Sequence, residues 1–306
     1  MYLDALLDVD EPETRTAALR APDAPRFAIT DAHVHIWNVD ALRYPWLAAE
    51  PHLNRSFLPA DFHGAHHGVD VERWVFVQAD CDPDQGLAEA RWVERQAEDD
   101  PRLAAIVAFA AVETGAALEP ELARLRELPR VRGVRRLLQS EPDPAFCLQP
   151  AFVDGVTRLA AFDLSFDVCA FHSQLASVVE LVRRCEDVTF VLDHAGKPGI
   201  RDGLLDPWRT HLRELSRQPN VWCKLSGLVT EADHRAWTAA QLRPYIDHVL
   251  ECFGFERVLF GGDWPVSTLA TTYPQWVDTV LALVAGCSAE DQRRLFRDNA
   301  VAVYRL

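Results

Sequence analysis

Nowhere in the 306-residue chain does an apolar run approach the roughly 18 residues that a membrane span requires. The N-terminus, Met1-Tyr2-Leu3-Asp4, has acids close behind it and lacks the basic start and apolar stretch of a secretory signal. The seven cysteines (Cys81, Cys147, Cys169, Cys185, Cys223, Cys252 and Cys287) are odd in number and never form a Cys-x-x-Cys pair. That pattern argues against a disulfide frame or a zinc knuckle and predicts reduced, mostly buried thiols in a cytoplasmic protein. In such a protein the Asn54-Arg55-Ser56 sequon carries no weight. Positive charge is scarce: 31 Lys and Arg face 46 Asp and Glu, a formal net charge of −15. That field repels phosphate backbones and anionic membranes, so neither nucleic acid nor a membrane is expected as a partner. A small neutral substrate is unaffected by it, and local arginines can still make a positive pocket.

What is present is an ordinary enzyme-like composition, 49% hydrophobic and 25% charged. The length suits one large α/β domain or two smaller ones. Residues 1–26 are rich in Asp, Glu, Pro and Ala and read as an N-terminal extension with one short helix over 14–20. From residue 27 onward, eight short apolar runs recur, over 27–35, 74–78, 103–112, 131–137, 164–170, 188–194, 221–226 and 257–263. Between them lie helical spacings such as Leu118, Leu122, Leu125 and Leu242, Tyr245, Ile246, Val249, and two closing helices follow the last run. Strands alternating with helices predict a parallel sheet closed into a (β/α)8 barrel over 27–306. An open doubly wound sheet would need a Gly-rich turn after the first strand, and Asp31-Ala32-His33-Val34-His35 is not one. The connection over 38–70 is unusually long, and its aromatics Trp37, Tyr44 and Trp46 suit either a pocket wall or a loop pinned to the core. His63, His66 and His67, beside two glycines, read as a solvated loop or helix end.

Chemistry in such a barrel gathers at the C-terminal strand ends. His33 and His35, at i and i+2, project from the same face of the first strand. The other strand ends supply Gln78, Arg135 or Arg136, His172, His194, Lys224 with Ser226, and Asp263. Arg135 and Arg136 alternate, so at most one points inward, and both reaching solvent at the rim is the structural alternative. Lys224 either binds a substrate oxygen or pairs with a neighbouring acid. Asp193, opposite in face to His194, reads as a loop brace. Asp263 is a candidate general base, with an N-cap ahead of Pro265 as its structural alternative.

Six motifs in order carry a resemblance: Asp31-Ala32-His33-Val34-His35-Ile36-Trp37, Val77-Gln78-Ala79, Gly133-Val134-Arg135-Arg136, Leu192-Asp193-His194-Ala195-Gly196-Lys197-Pro198, Lys224-Leu225-Ser226-Gly227-Leu228 and Phe260-Gly261-Gly262-Asp263-Trp264-Pro265. The chain resembles the amidohydrolase superfamily, within it the lactonase branch that contains sugar lactonases and pyrone-dicarboxylate lactonase. The resemblance implies hydrolysis of a cyclic ester, with His33, His35, His172, His194 and Asp263 around the reacting centre as catalytic groups and metal ligands. Where binuclear members carry a bridging lysine on strand four, this chain has Val134-Arg135-Arg136, and arginine is an unsuitable ligand. One divalent metal, zinc by preference, or none is therefore expected. Water attack with Asp263 as base, and His33, His35 and His194 as donors to the oxyanion, suits either case. Arg135, Lys224, Gln78, Trp37, Tyr44 and Trp264 are expected to bind a substrate such as L-fucono- or L-rhamnono-lactone, with Trp46 alongside. A homodimer is admitted by this reading but not specified by the sequence. The alternative enzyme is a zinc-dependent decarboxylase of an aromatic or unsaturated acid; a nuclease is disfavoured by the charge, and a binding barrel leaves the clustered histidines without purpose.

Overall fold

Parallel strands covered on both faces need apolar side chains on both, and the eight runs supply them. The computed structural model describes residues 27–306; the extension expected over 1–26, with its helix over 14–20, lies outside them. The strands β1 (Ile29–Val34), β2 (Val71–Val77), β3 (Leu103–Phe109), β4 (Val131–Arg135), β5 (Ser165–Val168), β6 (Phe190–Leu192), β7 (Val221–Leu225) and β8 (Val258–Phe260) lie parallel in chain order. The ring closes just past the strand ends. Val34 bridges Trp264, the His35 N–H donates to the Trp264 carbonyl at 2.7 Å, and the Asp263 N–H donates to the His33 carbonyl at 2.8 Å. The result is a (β/α)8 barrel.

Helices α1 (Pro59–Ala65), α2 (Gly86–Asp99), α3 (Glu119–Arg126), α4 (Pro150–Arg158), α5 (Leu175–Arg184), α6 (Trp208–Ser216), α7 (Ala239–Phe253), α8 (Tyr273–Leu283), α9 (Ala289–Arg293) and α10 (Asn299–Tyr304) alternate with or follow the strands. None among the described residues is long and apolar enough to cross a membrane. Period two sorts the strand side chains. Val75, Val77, Ala105, Val107, Val191 and Leu259 fill the interior, with Tyr304 of α10 packed among them. Trp74, Phe76, Ile106, Phe166 and Phe190 belong to the separate outer cluster formed with the helices.

One irregularity matters for the site. Asp31 pairs with Trp74 and Val34 with Phe76, so three steps along β1 answer two along β2, which is a β-bulge. The extra residue turns Asp31 outward, where it accepts from the Tyr273 hydroxyl of α8 at 2.8 Å and from the Gly262 N–H at 2.9 Å. His33 is thereby freed to face inward.

The connection over 38–70 is structured rather than loose. It holds a short 3-10 turn, Pro45–Ala49, and α1. Trp37 bridges Phe57, its ring meets Phe57 edge-on at 5.1 Å, and its indole N–H donates to the Arg55 carbonyl at 2.6 Å. The histidines expected on a solvated loop differ among themselves. His63 pairs with Asp100 at 2.7 Å, and Asp100 also accepts from the Trp74 indole, which pins α1 to the barrel; His66 is buried and His67 exposed.

Candidate active site

Two strand ends shape the site. β6 stops at Leu192 and β8 at Phe260 because the residues beyond leave extended geometry: His194 has φ 52° and Asp263 φ 53°. Left-handed backbone is strained for side chains such as these and persists where the surroundings enforce it. Its effect is to aim both side chains across the barrel mouth rather than along the pleat. Gly227, with φ +58°, leaves the space. A Cβ there would stand 2.5 Å from His194 Nδ1 and 2.8 Å from Asp263 Oδ2.

The reacting groups converge at this mouth. His33 Nε2 lies 3.1 Å from His35 Nε2, and Asp263 Oδ1 is 3.7, 3.5 and 3.9 Å from the Nε2 atoms of His33, His35 and His194. Hydrogen bonding assigns the tautomers. His35 Nδ1 faces the Val77 carbonyl at 2.7 Å; a carbonyl only accepts, so that nitrogen carries the proton. His33 Nδ1 lies 3.2 Å from both Asp193 Oδ1 and the Lys224 ammonium, while Arg135, which only donates, faces Nε2 at 3.4 Å and so places the His33 proton on Nδ1. Both Nε2 lone pairs then point at one spot beside a carboxylate.

Burial pushes the His33 pKa well below its ordinary value, Lys224 and His194 add to the drop, and Asp193 opposes it. Burial also takes His194 down to about 4, against the pull of Asp263 and Asp193. Both rings are therefore neutral at pH 7. Burial alone would raise Asp263, but the charge that His194, His35 and His33 carry in their protonated forms outweighs it and holds the carboxyl well below the usual range. Asp263 is an ionised carboxylate.

Beneath these groups lies a buried charge network. Lys224 is fully buried, with its Nζ 2.7 Å from Asp167 Oδ2, 2.9 Å from Asp193 Oδ1 and 3.2 Å from His33 Nδ1. Arg135 points inward, donates to Asp193 Oδ2 at 3.1 Å and to the Gln78 carbonyl, and has Nη1 3.4 Å from His33 Nε2. Arg136 turns out to Glu113 and Glu141. Asp193, which the sequence suggested as a loop brace, is the hub joining His33, Arg135 and Lys224.

Above the floor opens a pocket of about 210 Å³. Of the expected substrate-binding set, Arg135 and Trp46 line it, together with His35, His194 and Asp263. The structure places the others elsewhere. Lys224 is sealed below the floor by its two carboxylates. Gln78 is buried behind the wall. Trp37 and Tyr44 pack together, and Trp264 packs between Phe57 and Phe62, because aromatic burial in the long connection outcompetes exposure at the mouth. His172 sits in a short turn after β5 with Nδ1 on the Lys197 carbonyl at 3.0 Å, outside both clusters of convergent ligand atoms. Sequence reasoning did not single out Asp80, Gln139, Ser140, Lys197 or Thr230 of the lining. These follow the strand ends by one or more residues, where no periodicity marks them.

Two groups of side chains have ligand atoms within 4.8 Å of one another: His33, His35 and Asp263, and His33, Asp193 and His194. The first fits one divalent cation. Its edges of 3.1, 3.5 and 3.7 Å match the about 3.3 Å expected between ligands of a tetrahedral zinc. Two imidazoles and a carboxylate leave a fourth position open, the layout of a catalytic rather than structural site. The hydrogen bonds from the rings' Nδ1 atoms to Val77 and Asp193 are the outer contacts that orient such ligands. The second group fits poorly, since its Asp193 already holds Lys224 and Arg135.

Comparison with known proteins identifies the family. A family profile described as amidohydrolase matches residues 30–306. An L-fucono-1,5-lactonase of Burkholderia multivorans is 37% identical over 295 residues, covering 90% of this chain and 95% of that protein. An L-fucono-1,5-lactonase of Burkholderia ambifaria is 31% identical over 281 residues, covering 90% and 95%. The crystal structure of a Burkholderia multivorans amidohydrolase with bound zinc superposes with a TM-score of 0.83 at 34% identity, covering 92% of this chain and 100% of that one. A barrel closed by its own site residues, a floor of imidazoles around one carboxylate, and matches over nearly the whole described chain lead to one conclusion: the chain belongs to the amidohydrolase family.

Proposed function

We propose that this protein is a cytoplasmic lactonase that hydrolyses an uncharged sugar-acid lactone of the L-fucono- or L-rhamnono-lactone type. The observation that carries the reading is Asp263, an ionised carboxylate among three imidazoles on the floor of a small pocket. The two L-fucono-1,5-lactonases above support the substrate class. So does the pocket's charge: Arg135 is spent on Asp193 and Lys197 on Glu231, at 2.9 Å, which leaves neither cation free for a carboxylate substrate. That balance disfavours an acidic substrate, and with it a decarboxylase. The seven free cysteines suit a reducing compartment.

Asp263 accepts the proton of the water that attacks the ring ester carbonyl and returns it to the ring oxygen as the carbon–oxygen bond breaks. The products are the open hydroxy acid. His194 receives the Ser226 hydroxyl or donates to it through Nδ1 at 2.9 Å; in the first arrangement its Nε2–H faces the pocket as a donor to the developing oxyanion, a contribution of about 3 kcal/mol. So acidic a carboxylate is a weak base. A zinc ion held by His33, His35 and Asp263 would supply the missing Lewis acidity, acidifying water and polarising the carbonyl. Arg135, beside His33, fixes Asp193 and so the orientation of that ring.

A pH-indicator assay over a panel of aldonolactones and pyrone lactones, on protein of measured metal content, tests the reading. Asp263→Asn should lose about 10²–10⁴-fold in kcat while keeping its melting temperature. Activity near that of the parent removes Asp263 from the proposed role, and carbon dioxide release from aromatic acids points to the decarboxylase instead.

A further inference from the structure

Asp80 follows β2 in left-handed backbone, φ 57°, a conformation in which Asp is among the few tolerated side chains. Its N–H donates to Gln78 Oε1 at 2.6 Å, so the buried Gln78 side chain holds the turn. The Asp80 side chain is half-buried in the pocket wall and makes no hydrogen bond or ion pair among the described residues. Beside it, after β4, stand Gln139 and Ser140, also in the wall. The Gln139 amide nitrogen and the Ser140 hydroxyl are likewise without protein partners among the described residues, the Gln139 oxygen accepting only from Cys169 Sγ at 3.4 Å. These residues occupy the β2–β4 sector of the mouth. His194, Lys197, Thr230 and Asp263 occupy the β6–β8 sector, opposite in an eight-stranded ring.

We infer that Asp80, Gln139 and Ser140 form an edge that recognises the hydroxyl groups of the substrate ring and selects polyhydroxylated over unsubstituted lactones. The inference rests on reading the floor as a lactone-hydrolysing centre. A carboxylate accepts and an amide nitrogen donates, and a pair of neighbouring hydroxyls offers both functions at once. Trp46, its indole N–H fixed to the Ala79 carbonyl at 2.8 Å, lines the same pocket and offers an apolar face to the carbons of the ring. Asp80 and Gln139, partly desolvated where Ser140 is exposed, are left unpaired by a ring that lacks hydroxyls, and this is a stronger discriminator than missing apolar contact.

The test compares kcat/KM for a polyhydroxylated aldono-δ-lactone and for δ-valerolactone, which presents the same ring ester without hydroxyls. Asp80→Gly and Asp80→Asn both tolerate φ 57°, so the turn is kept. The ratio of the two kcat/KM values should fall about tenfold to a hundredfold in Asp80→Gly, and by a smaller factor in Asp80→Asn and Gln139→Ala. A merely structural role would lower both substrates together and leave the ratio at the parent value. That result, in variants that melt as the parent does, overturns the hydroxyl edge alone. A parent enzyme that opens neither lactone overturns the lactonase reading, and the edge with it.

Discussion

Replacing Lys224 with methionine separates two roles for a lysine at a strand end. Methionine nearly matches its length and fits an apolar interior, so the change removes the charge and little volume. The ammonium lies within 2.9 Å of two buried carboxylates. Its loss strands Asp167 and Asp193 without their shared cation, and breaking a buried pair costs about 3–5 kcal/mol. Two features move the figure toward the lower end. Asp193 keeps Arg135, and Asp167, which burial already raises, accepts a proton and still holds the Tyr304 hydroxyl at 2.6 Å. For a domain of this size the loss corresponds to on the order of 10 °C in Tm. Calorimetry on parent, Lys224→Met and Lys224→Met with Asp167→Asn should show the drop and its partial recovery. Kinetics on the same proteins should show kcat falling more than KM rises, because His33 loses its fixed surroundings while the pocket wall is untouched. An unchanged Tm with a raised KM refutes the buried network and makes Lys224 a substrate ligand.

Three further outcomes follow from other parts of the site. Burial raises Glu89 to about 7 from an ordinary 4.5, so its contribution is fully present below pH 4.5 and lost as pH rises through 7. Glu89→Gln should therefore gain on the parent between pH 5 and 8, by on the order of 3 kcal/mol, in urea titrations at both pH values; a gap of the opposite sign contradicts the burial. Gly227→Ala drives a Cβ against His194 and Asp263 and strains φ +58°, so kcat on the best lactone should fall at least about tenfold; full activity would mean that the turn relaxes freely. His35→Ala should cut bound zinc from about one per chain to a trace by elemental analysis, since it removes one of three ligands. Retained stoichiometric zinc would move the metal to another set.

The barrel was readable from the sequence because alternation of buried runs with helical spacings is a local property, and local properties survive in one dimension. His33, His35, His194 and Asp263 were readable for a related reason: each closes or directly follows an apolar run, and the resemblance fixed their order. Three things were not. The backbone of His194 and Asp263 turns left-handed under tertiary constraint, which no propensity encodes. Lys224 and Asp193 are charged residues at strand ends, a pattern shared by ligands at a mouth and by ion pairs beneath it; only depth distinguishes them. The aromatics Trp37 and Tyr44 suited a pocket wall and a pinned loop equally, and they and Trp264 are buried against one another and against Phe57 and Phe62 rather than offered to a small polar ring. Trp46, the remaining aromatic expected there, does line the pocket.

The seam between first and last strands is stitched by the backbones of His33, His35, Asp263 and Trp264, with Asp31 clamping the Gly262 N–H beside it. Joining the two ends of the sheet and assembling the chemistry are thus a single event. A chain whose eighth strand has not docked holds its carboxylate apart from its imidazoles, so no half-closed intermediate can hydrolyse anything, and turnover itself reports that the ring is complete.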